Sequence, residues 1–187
     1  ANANSTLGYA ARLLSLVIGL GAASVGRAAL PVLADIQSRG DPGHARRTAL
    51  KWSVVMLLAG VLALLLGWVL APWGVAFLFE RGAFTAQDTV AVAHVLRWGL
   101  LQLPFFFGVL ILVQLLASQN RYRIMAVIAV ANFLIKVMMN AVLAPHMGVA
   151  GIMLATSIMY ALSYACYTMV VLRVPPDDAG PPAGAPG

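Results

Sequence analysis

Long apolar runs separated by short polar segments are the dominant pattern along the chain. Five of these runs reach at least about 20 residues, enough to cross roughly 30 Å of hydrocarbon as an α-helix. They predict five membrane-spanning helices at about residues 7–34, 47–79, 86–118, 121–144 and 148–173. The predicted fold class is therefore all-α, a polytopic membrane helix bundle.

Capping residues and prolines indicate where these spans begin, bend and end. Thr85, followed three residues later by Asp88, has the pattern of a capping box and predicts the start of the third span. Pro104 lies mid-way along that span and predicts a kink. Residues 174–187 are rich in proline, glycine and alanine, which predicts a disordered tail after the fifth span.

The composition identifies the bilayer as the partner of this basic chain. The 187 residues are 61% hydrophobic and only 10% charged, with a net charge of +6. Because the basic residues are scattered among apolar runs, we expect membrane lipid rather than nucleic acid as the partner. Cys166 is the single cysteine and no metal-ligand spacing occurs, so we expect no cofactor. The chain also has no P-loop, G-x-G-x-x-G motif or Ser/His/Asp arrangement, and we expect no enzyme.

Basic residues fall unevenly on the two sides of the predicted spans. Arg81 is alone on one side, whereas the other side carries Arg39, Arg46, Arg47, Lys51, Arg121, Arg123 and Arg173. Because cytoplasmic loops carry an excess of Lys and Arg, we expect the start of the chain outside and the C-terminal tail in the cytoplasm. The chain opens with neither an initiator Met nor a signal peptide, so we expect a fragment of a longer protein.

Four cations lie well inside the predicted spans, whereas all six acidic residues lie in loops, at the start of a span or in the tail. The four are Arg12, Arg27, Arg97 and Lys136. A charged side chain at the centre of a bilayer costs at least about 2.5 kcal/mol, so each cation needs compensation. We expect it from outside these helices: a carboxylate elsewhere in the protein, a phosphate-bearing ligand, or water in a cavity.

Lys136 has a polar helix face around it. Asn132 lies one turn before it and Asn140 one turn after it, on the same face. We expect this face to line a cavity, and pairing with another helix is the alternative.

The first span also carries a face of small and charged residues. Four members follow one another at i+4: Ser15, Gly19, Ala23 and Arg27. Arg12 lies on the same side, because the fifteen residues between it and Arg27 are close to a whole number of turns. Small residues either permit close helix packing or leave space for a ligand. For Arg12, Arg27 and Arg97, snorkelling to the headgroups is the alternative to a cavity role.

Tyr160 is a further candidate, on a stripe of polar side chains along the fifth span. A tyrosine there can line a cavity or bond to a neighbouring helix, and the sequence leaves both interpretations open.

Three stretches of the chain resemble segments of one protein family. They are "GYAARLLSLVIGLGAASVGRAALPVLAD", "LFERGAFTAQDT" and "NAVLAPHMGVAGIMLATS". The first resembles the family's eighth helix with its Tyr-Ala-x-Arg start, and the second the outer loop after the ninth helix. The third resembles the Asn…Gly-x-x-Gly…Ala-Thr-Ser run between the eleventh and twelfth helices. The family is the MurJ/MviN lipid II flippases, of the multidrug/oligosaccharidyl-lipid/polysaccharide (MOP) exporter superfamily.

This resemblance covers about residues 7–173 and implies a function. The five spans would be the eighth to twelfth of about fourteen, so residues 1–173 would be a partial C-terminal lobe. The family exports a polyprenyl-pyrophosphate-linked saccharide, a peptidoglycan precursor, across the bacterial inner membrane by alternating access. The implied partners are that lipid, membrane lipids and the missing N-terminal lobe. Arg12 matches the Tyr-Ala-x-Arg arginine, a functionally important cavity residue of the family.

On this basis we expect Arg12 and Lys136 to bind the pyrophosphate, with Asn132 and Asn140 bonding to phosphate or sugar. The chain departs from the family at "LLASQNRYRIM", where a Thr-Pro is usual, and it lacks the family's final two helices.

One alternative function is that of another MOP exporter, of O-antigen or polysaccharide lipids or of drugs, although a drug antiporter needs cavity carboxylates. The other is a non-transporting membrane scaffold.

Overall fold

Six α-helices make up the computed structural model, which describes residues 3–79 and 84–173. Their bounds are α1 Ala3–Ser38, α2 Pro42–Phe79, α3 Ala86–Leu100, α4 Leu103–Ser118, α5 Tyr122–Met147 and α6 Val149–Arg173. With α3 and α4 counted as one span, five candidate membrane spans occur in the described part of the chain, and no strand does. The prediction of an all-α, five-span membrane bundle is confirmed. The predicted disordered tail and the outer Arg81 lie outside the described residues.

The third span begins at the capping box that the sequence predicts. The backbone N–H of Thr85 donates to a carboxylate oxygen of Asp88 at 3.0 Å. In return, the backbone N–H of Asp88 donates to the Thr85 hydroxyl at 3.4 Å. These two bonds satisfy backbone donors that the first turn of a helix leaves without intrahelical partners. The predicted start of this span is therefore confirmed.

The same span is interrupted next to Pro104, where the sequence predicts a kink. α3 ends at Leu100 and α4 begins at Leu103, so the two parts are separate helices. Proline has no backbone N–H to continue the hydrogen bonds of α3, but it is well tolerated in the first turn of α4. Gln102 bridges the interruption, because its side-chain Nε2 donates to the carbonyl of Gly99 at 2.8 Å. We call residues 101–102 the break.

The interrupted span lies at the centre of the bundle. Both α3 and α4 pack against α1, α2 and α6, and this span is the most buried of the five. Leu103, Leu112, Leu115 and Leu116 are almost completely buried there. α5 is peripheral, because it packs mainly on α6 and only slightly on α4. Its other face is apolar and exposed, as expected of a surface that lipid or another part of the protein covers.

Two glycines permit close contacts between helices next to the interrupted span. A Cβ on Gly60 of α2 would lie 2.5 Å from the Cα of Pro104, so α2 touches the backbone beside the break. A Cβ on Gly108 would lie 2.6 Å from the ring of Tyr164, which belongs to α6. The hydroxyl of Ser53 also donates to the carbonyl of Gly108 at 2.9 Å. Close backbone approach of this kind is the usual basis of helix association in membranes.

Candidate functional site

One face of α1 is exposed and carries two arginines. Its members are Arg12, Ser15, Gly19, Ala23 and Arg27, all of them exposed. We call this set the α1 polar face. The other side of α1 carries the buried Ala10 and Leu14, and α1 packs against α3 and α4. Apolar side chains are exposed beside these residues as well, among them Leu16 and Leu20, so the α1 polar face is a row of small and basic residues bordered by leucines.

The two arginines of the α1 polar face have no internal partner. Neither Arg12 nor Arg27 makes a hydrogen bond or an ion pair with residues 3–79 or 84–173. Arg27 borders a shallow concavity together with Leu20, Ala23, Ser24 and Ala28. Fifteen residues of helix separate the two guanidinium groups by about 22 Å along the axis. They are therefore two separate cationic positions on one open face.

The polar face around Lys136 is directed partly towards α6. The side-chain Nδ2 of Asn132 donates to the hydroxyl of the buried Ser163 at 3.0 Å. Lys136 is half-buried and has no hydrogen-bond partner in the described part of the chain. Asn140, one turn further on, has a buried Oδ1 that no donor in the structure reaches. An unsatisfied cation and an unsatisfied acceptor therefore lie one turn apart on α5.

Arg97 has a partner within the bundle. Its Nε donates to the backbone carbonyl of Trp68 on α2 at 3.1 Å. Its guanidinium carbon lies 5.7 Å from the centre of the Trp68 ring, within the range of a cation–π contact. The expectation that all four cations find their partners outside these helices is therefore wrong for Arg97. A backbone carbonyl of a neighbouring helix serves as its acceptor, a possibility that the sequence argument did not weigh.

Tyr160 contacts a neighbouring helix through its ring. The ring lies edge-on to Phe106 of α4, with 5.2 Å between the two centres. The hydroxyl makes no hydrogen bond within the described residues, and the side chain is half-buried. The aromatic contact is helix packing, and the cavity role of Tyr160 stays a prediction.

Serine hydroxyls that join helices are the functional groups that sequence reasoning missed. Ser53 donates to the carbonyl of Gly108 across the α2–α4 contact. Ser157 of α6 donates to the carbonyl of Trp98 on α3 at 2.9 Å. The sequence could have predicted these contacts, because small polar residues within apolar helices favour interhelical hydrogen bonds. Within the described residues, no group of three or more His, Cys, Asp or Glu side chains could hold a metal ion.

Comparison with known proteins identifies the family. The family model described as lipid II flippase MurJ matches residues 1–176. This chain belongs to the MurJ family. The resemblance found in the three sequence stretches is thereby confirmed.

Two MurJ proteins illustrate the relationship. A probable lipid II flippase MurJ of Bdellovibrio bacteriovorus is 30% identical over 165 residues, which are 88% of this chain and 31% of that protein. A solved structure, lipid II flippase MurJ in an inward closed conformation, has a TM-score of 0.79 at 24% identity and shows that the fold is shared. The similarity covers 91% of this chain and 36% of that one. The chain thus spans about a third of the length of these relatives.

Proposed function

We propose that this chain forms part of the C-terminal lobe of a flippase in the bacterial inner membrane. Its substrate is a polyprenyl-pyrophosphate-linked saccharide, a lipid II-like peptidoglycan precursor, which the whole protein moves by alternating access. Membership of the MurJ family supports this proposal. The main observation in support of the proposed binding site is the α1 polar face, where two arginines without internal partners lie exposed in a membrane span.

A pyrophosphate is the anion that this face fits best. In a low-dielectric environment, an arginine and a phosphate attract each other strongly, and the planar guanidinium can bond to two phosphate oxygens at once. Gly19 and Ala23 between the arginines leave room for the head group beside the helix. The pyrophosphate would thus supply the partners that Arg12 and Arg27 lack in the described bundle.

The spacing of the two arginines implies successive contacts. About 22 Å of helix rise separates them, far more than the extent of one pyrophosphate, so the two side chains bind it at different stages. The excess of basic residues on one side sets the proposed orientation, with the start of the chain outside. Arg27 then contacts the substrate nearer the cytoplasm, and Arg12 contacts it nearer the outer surface.

Lys136 and Asn140 form a second proposed contact on α5. The ammonium group would bind phosphate, and the unsatisfied Oδ1 of Asn140 would accept from a sugar hydroxyl or from Lys136. Asn132 would contribute through its own Oδ1, because its Nδ2 is already bound to Ser163. An N-terminal lobe of the same protein would supply the opposite wall of the cavity, and membrane lipids would surround the bundle.

Transport by the full-length protein in liposomes tests the proposal. The measured quantity is translocation of a labelled undecaprenyl-pyrophosphate saccharide, for wild type, Arg12→Met, Arg27→Met and Lys136→Met at matched folded yield. A hydrogen bond to a charged group is worth about 1.5–3 kcal/mol, so we expect Arg12→Met to slow transport about tenfold or more.

Arg39→Met is the matched control, because it removes the same charge one residue beyond the end of the same helix. Arg39 pairs with Asp35 at 2.9 Å near the end of α1 and is exposed. We expect this variant to transport at the wild-type rate. Wild-type rates in all three test variants would refute the cation assignment. Inactivity of the wild type on several such lipids would favour a non-transporting scaffold.

A further inference from the structure

We propose that Arg97 acts as a clamp that replaces a backbone hydrogen bond lost at Pro72 and thereby fixes α2 to α3. The inference rests on the geometry of these two helices and does not depend on the proposed function. Two observations carry it: the Arg97 Nε bond to the Trp68 carbonyl at 3.1 Å, and the position of Pro72 within the continuous helix α2.

Pro72 deprives one particular carbonyl of its partner. In an α-helix, the carbonyl of residue 68 accepts from the backbone N–H of residue 72. Proline has no N–H, and its ring also pushes the carbonyl four residues earlier away from the helix axis. The Trp68 carbonyl is therefore the one that Pro72 leaves without a donor. Water is scarce within a membrane span, so a donor from another protein group is the main replacement.

Arg97 replaces the lost donor in a way that suits arginine in particular. Its Nε donates to the carbonyl while the guanidinium plane lies close to the ring of the same Trp68. Lysine has no donor at the Nε position and no planar group to lie over the ring. The remaining N–H groups of the half-buried guanidinium are free to bond to interfacial water or lipid.

The clamp has a consequence for the break in the third span. On α2, Trp68 contacts α3 through Arg97, and Gly60 contacts the start of α4 at Pro104. These two points are eight residues apart, about 12 Å along α2, and both contact the interrupted span. The continuous helix α2 therefore acts as a splint across the break, and Arg97 is its attachment to α3.

A double-mutant cycle in the intact protein tests the clamp. The midpoint of thermal unfolding, Tm, is measured in detergent for wild type, Arg97→Met, Pro72→Ala and the double variant. Alanine at 72 restores the missing N–H, so the Trp68 carbonyl no longer needs Arg97. We expect Arg97→Met to lower Tm in the wild-type background and to lower it less than half as much in the Pro72→Ala background.

The alternatives give different results in the same experiment. Equal losses of Tm in the two backgrounds would overturn the clamp. If Arg97 only snorkels to the headgroups, Arg97→Lys will match wild type, and that result would also overturn it. If Arg97→Met fails to fold, recovery of folding in the double variant supports the clamp, and failure in both backgrounds refutes it. Arg27→Met is the control, with an effect that does not depend on residue 72.

A distance measurement separates the splint from a general loss of stability. Spin labels are placed at two exposed positions, Val69 on α2 and Val90 on α3, after replacement of Cys166. We expect Arg97→Met to broaden the distance distribution between the labels in both the wild-type and the Pro72→Ala backgrounds, because an N–H at residue 72 satisfies the Trp68 carbonyl but does not attach α2 to α3. An unchanged distribution in Arg97→Met would refute the splint.

Discussion

Gly60 is the residue at which α2 comes closest to the break. A Cβ there would lie 2.5 Å from the Cα of Pro104 and 2.8 Å from the carbonyl oxygen of Leu103. Both are backbone atoms, which cannot move aside as a flexible side chain can. We expect Gly60→Ala to separate the two helices and to cost about 1–3 kcal/mol of stability, the usual range for overpacking. Thermal unfolding in detergent measures the loss.

Gly74 provides the control on the same helix. A Cβ at Gly74 meets no atom within 4 Å. Because alanine is a better helix former than glycine, we expect Gly74→Ala to match or slightly exceed the wild-type stability. A Gly60→Ala variant as stable as Gly74→Ala would show that the close contact at the break contributes nothing.

Arg97 illustrates the limit of sequence reasoning at the residue scale. Its position within a span was readable from the sequence, and so was the carbonyl that Pro72 leaves without a donor. The two features lie on different helices, and 29 residues separate Arg97 from Trp68. Only the packing of α2 on α3 brings them together, and no local pattern sets that packing. The capping box of Thr85 and Asp88 was predictable because its two members lie within one turn.

α5 and α6 form a helical hairpin that Gly148 makes possible. This glycine has a φ of +59°, a conformation that side chains disfavour, and it connects the end of α5 directly to α6. A Cβ on Gly151 would lie 2.5 Å from the carbonyl oxygen of Leu143, so the two helices stay close beyond the turn. Since α5 packs mainly on α6, the contacts of this hairpin determine where α5 lies.

The bond between Asn132 and Ser163 is a direct side-chain link within that hairpin. Interhelical hydrogen bonds in membranes average about 0.6 kcal/mol and reach about 1.7 kcal/mol. We expect Asn132→Ala and Ser163→Ala each to lower stability by an amount in this range, and the double variant to lower it no further than the worse single variant. Thermal unfolding of the four proteins measures the coupling between the two side chains.

Ser118→Ala is the control for this cycle, because the Ser118 hydroxyl donates to the carbonyl of Leu115 within its own helix. We expect it to change stability little. Strictly additive losses for Asn132→Ala and Ser163→Ala would contradict the interhelical bond and leave Asn132 available as a substrate contact.

At the scale of helices, the sequence predicted where the helices lie along the chain better than it predicted which helices pack together. Five spans followed from the length of the apolar runs, and the interruption of the third span followed from Pro104. The central position of α3 and α4 could not be predicted in this way, because all five runs are strongly apolar. Hydropathy alone does not distinguish a buried helix from one that faces lipid. Gly60 and Gly108 hold the relevant information, but only once their neighbours are known.

Across the whole molecule, the candidate site was partly predictable. The spacing of Ser15, Gly19, Ala23 and Arg27 predicted one face, and all four residues are exposed on that face. The same reasoning left two roles open for a row of small residues, packing or an open cavity. Within the described residues, α1 packs through its other side, and Leu16 and Leu20 are exposed beside this row, so both roles stay predictions. The substrate contact of Lys136 stays a prediction that transport measurements must decide.

Obstruction of the α1 polar face is the sharpest test at this scale. Gly19 lies between Arg12 and Arg27, and a Cβ there meets no atom within 4 Å. We expect Gly19→Phe to fold normally and to slow transport about tenfold or more, because a ring placed between two successive binding positions costs the passing head group at least about 1.4 kcal/mol. Val130→Phe is the control, an exposed apolar position on α5 that is 61% accessible. Transport at the wild-type rate in Gly19→Phe, at matched folded yield, would mean that the substrate does not pass along this face, and the two arginines would then require partners of another kind.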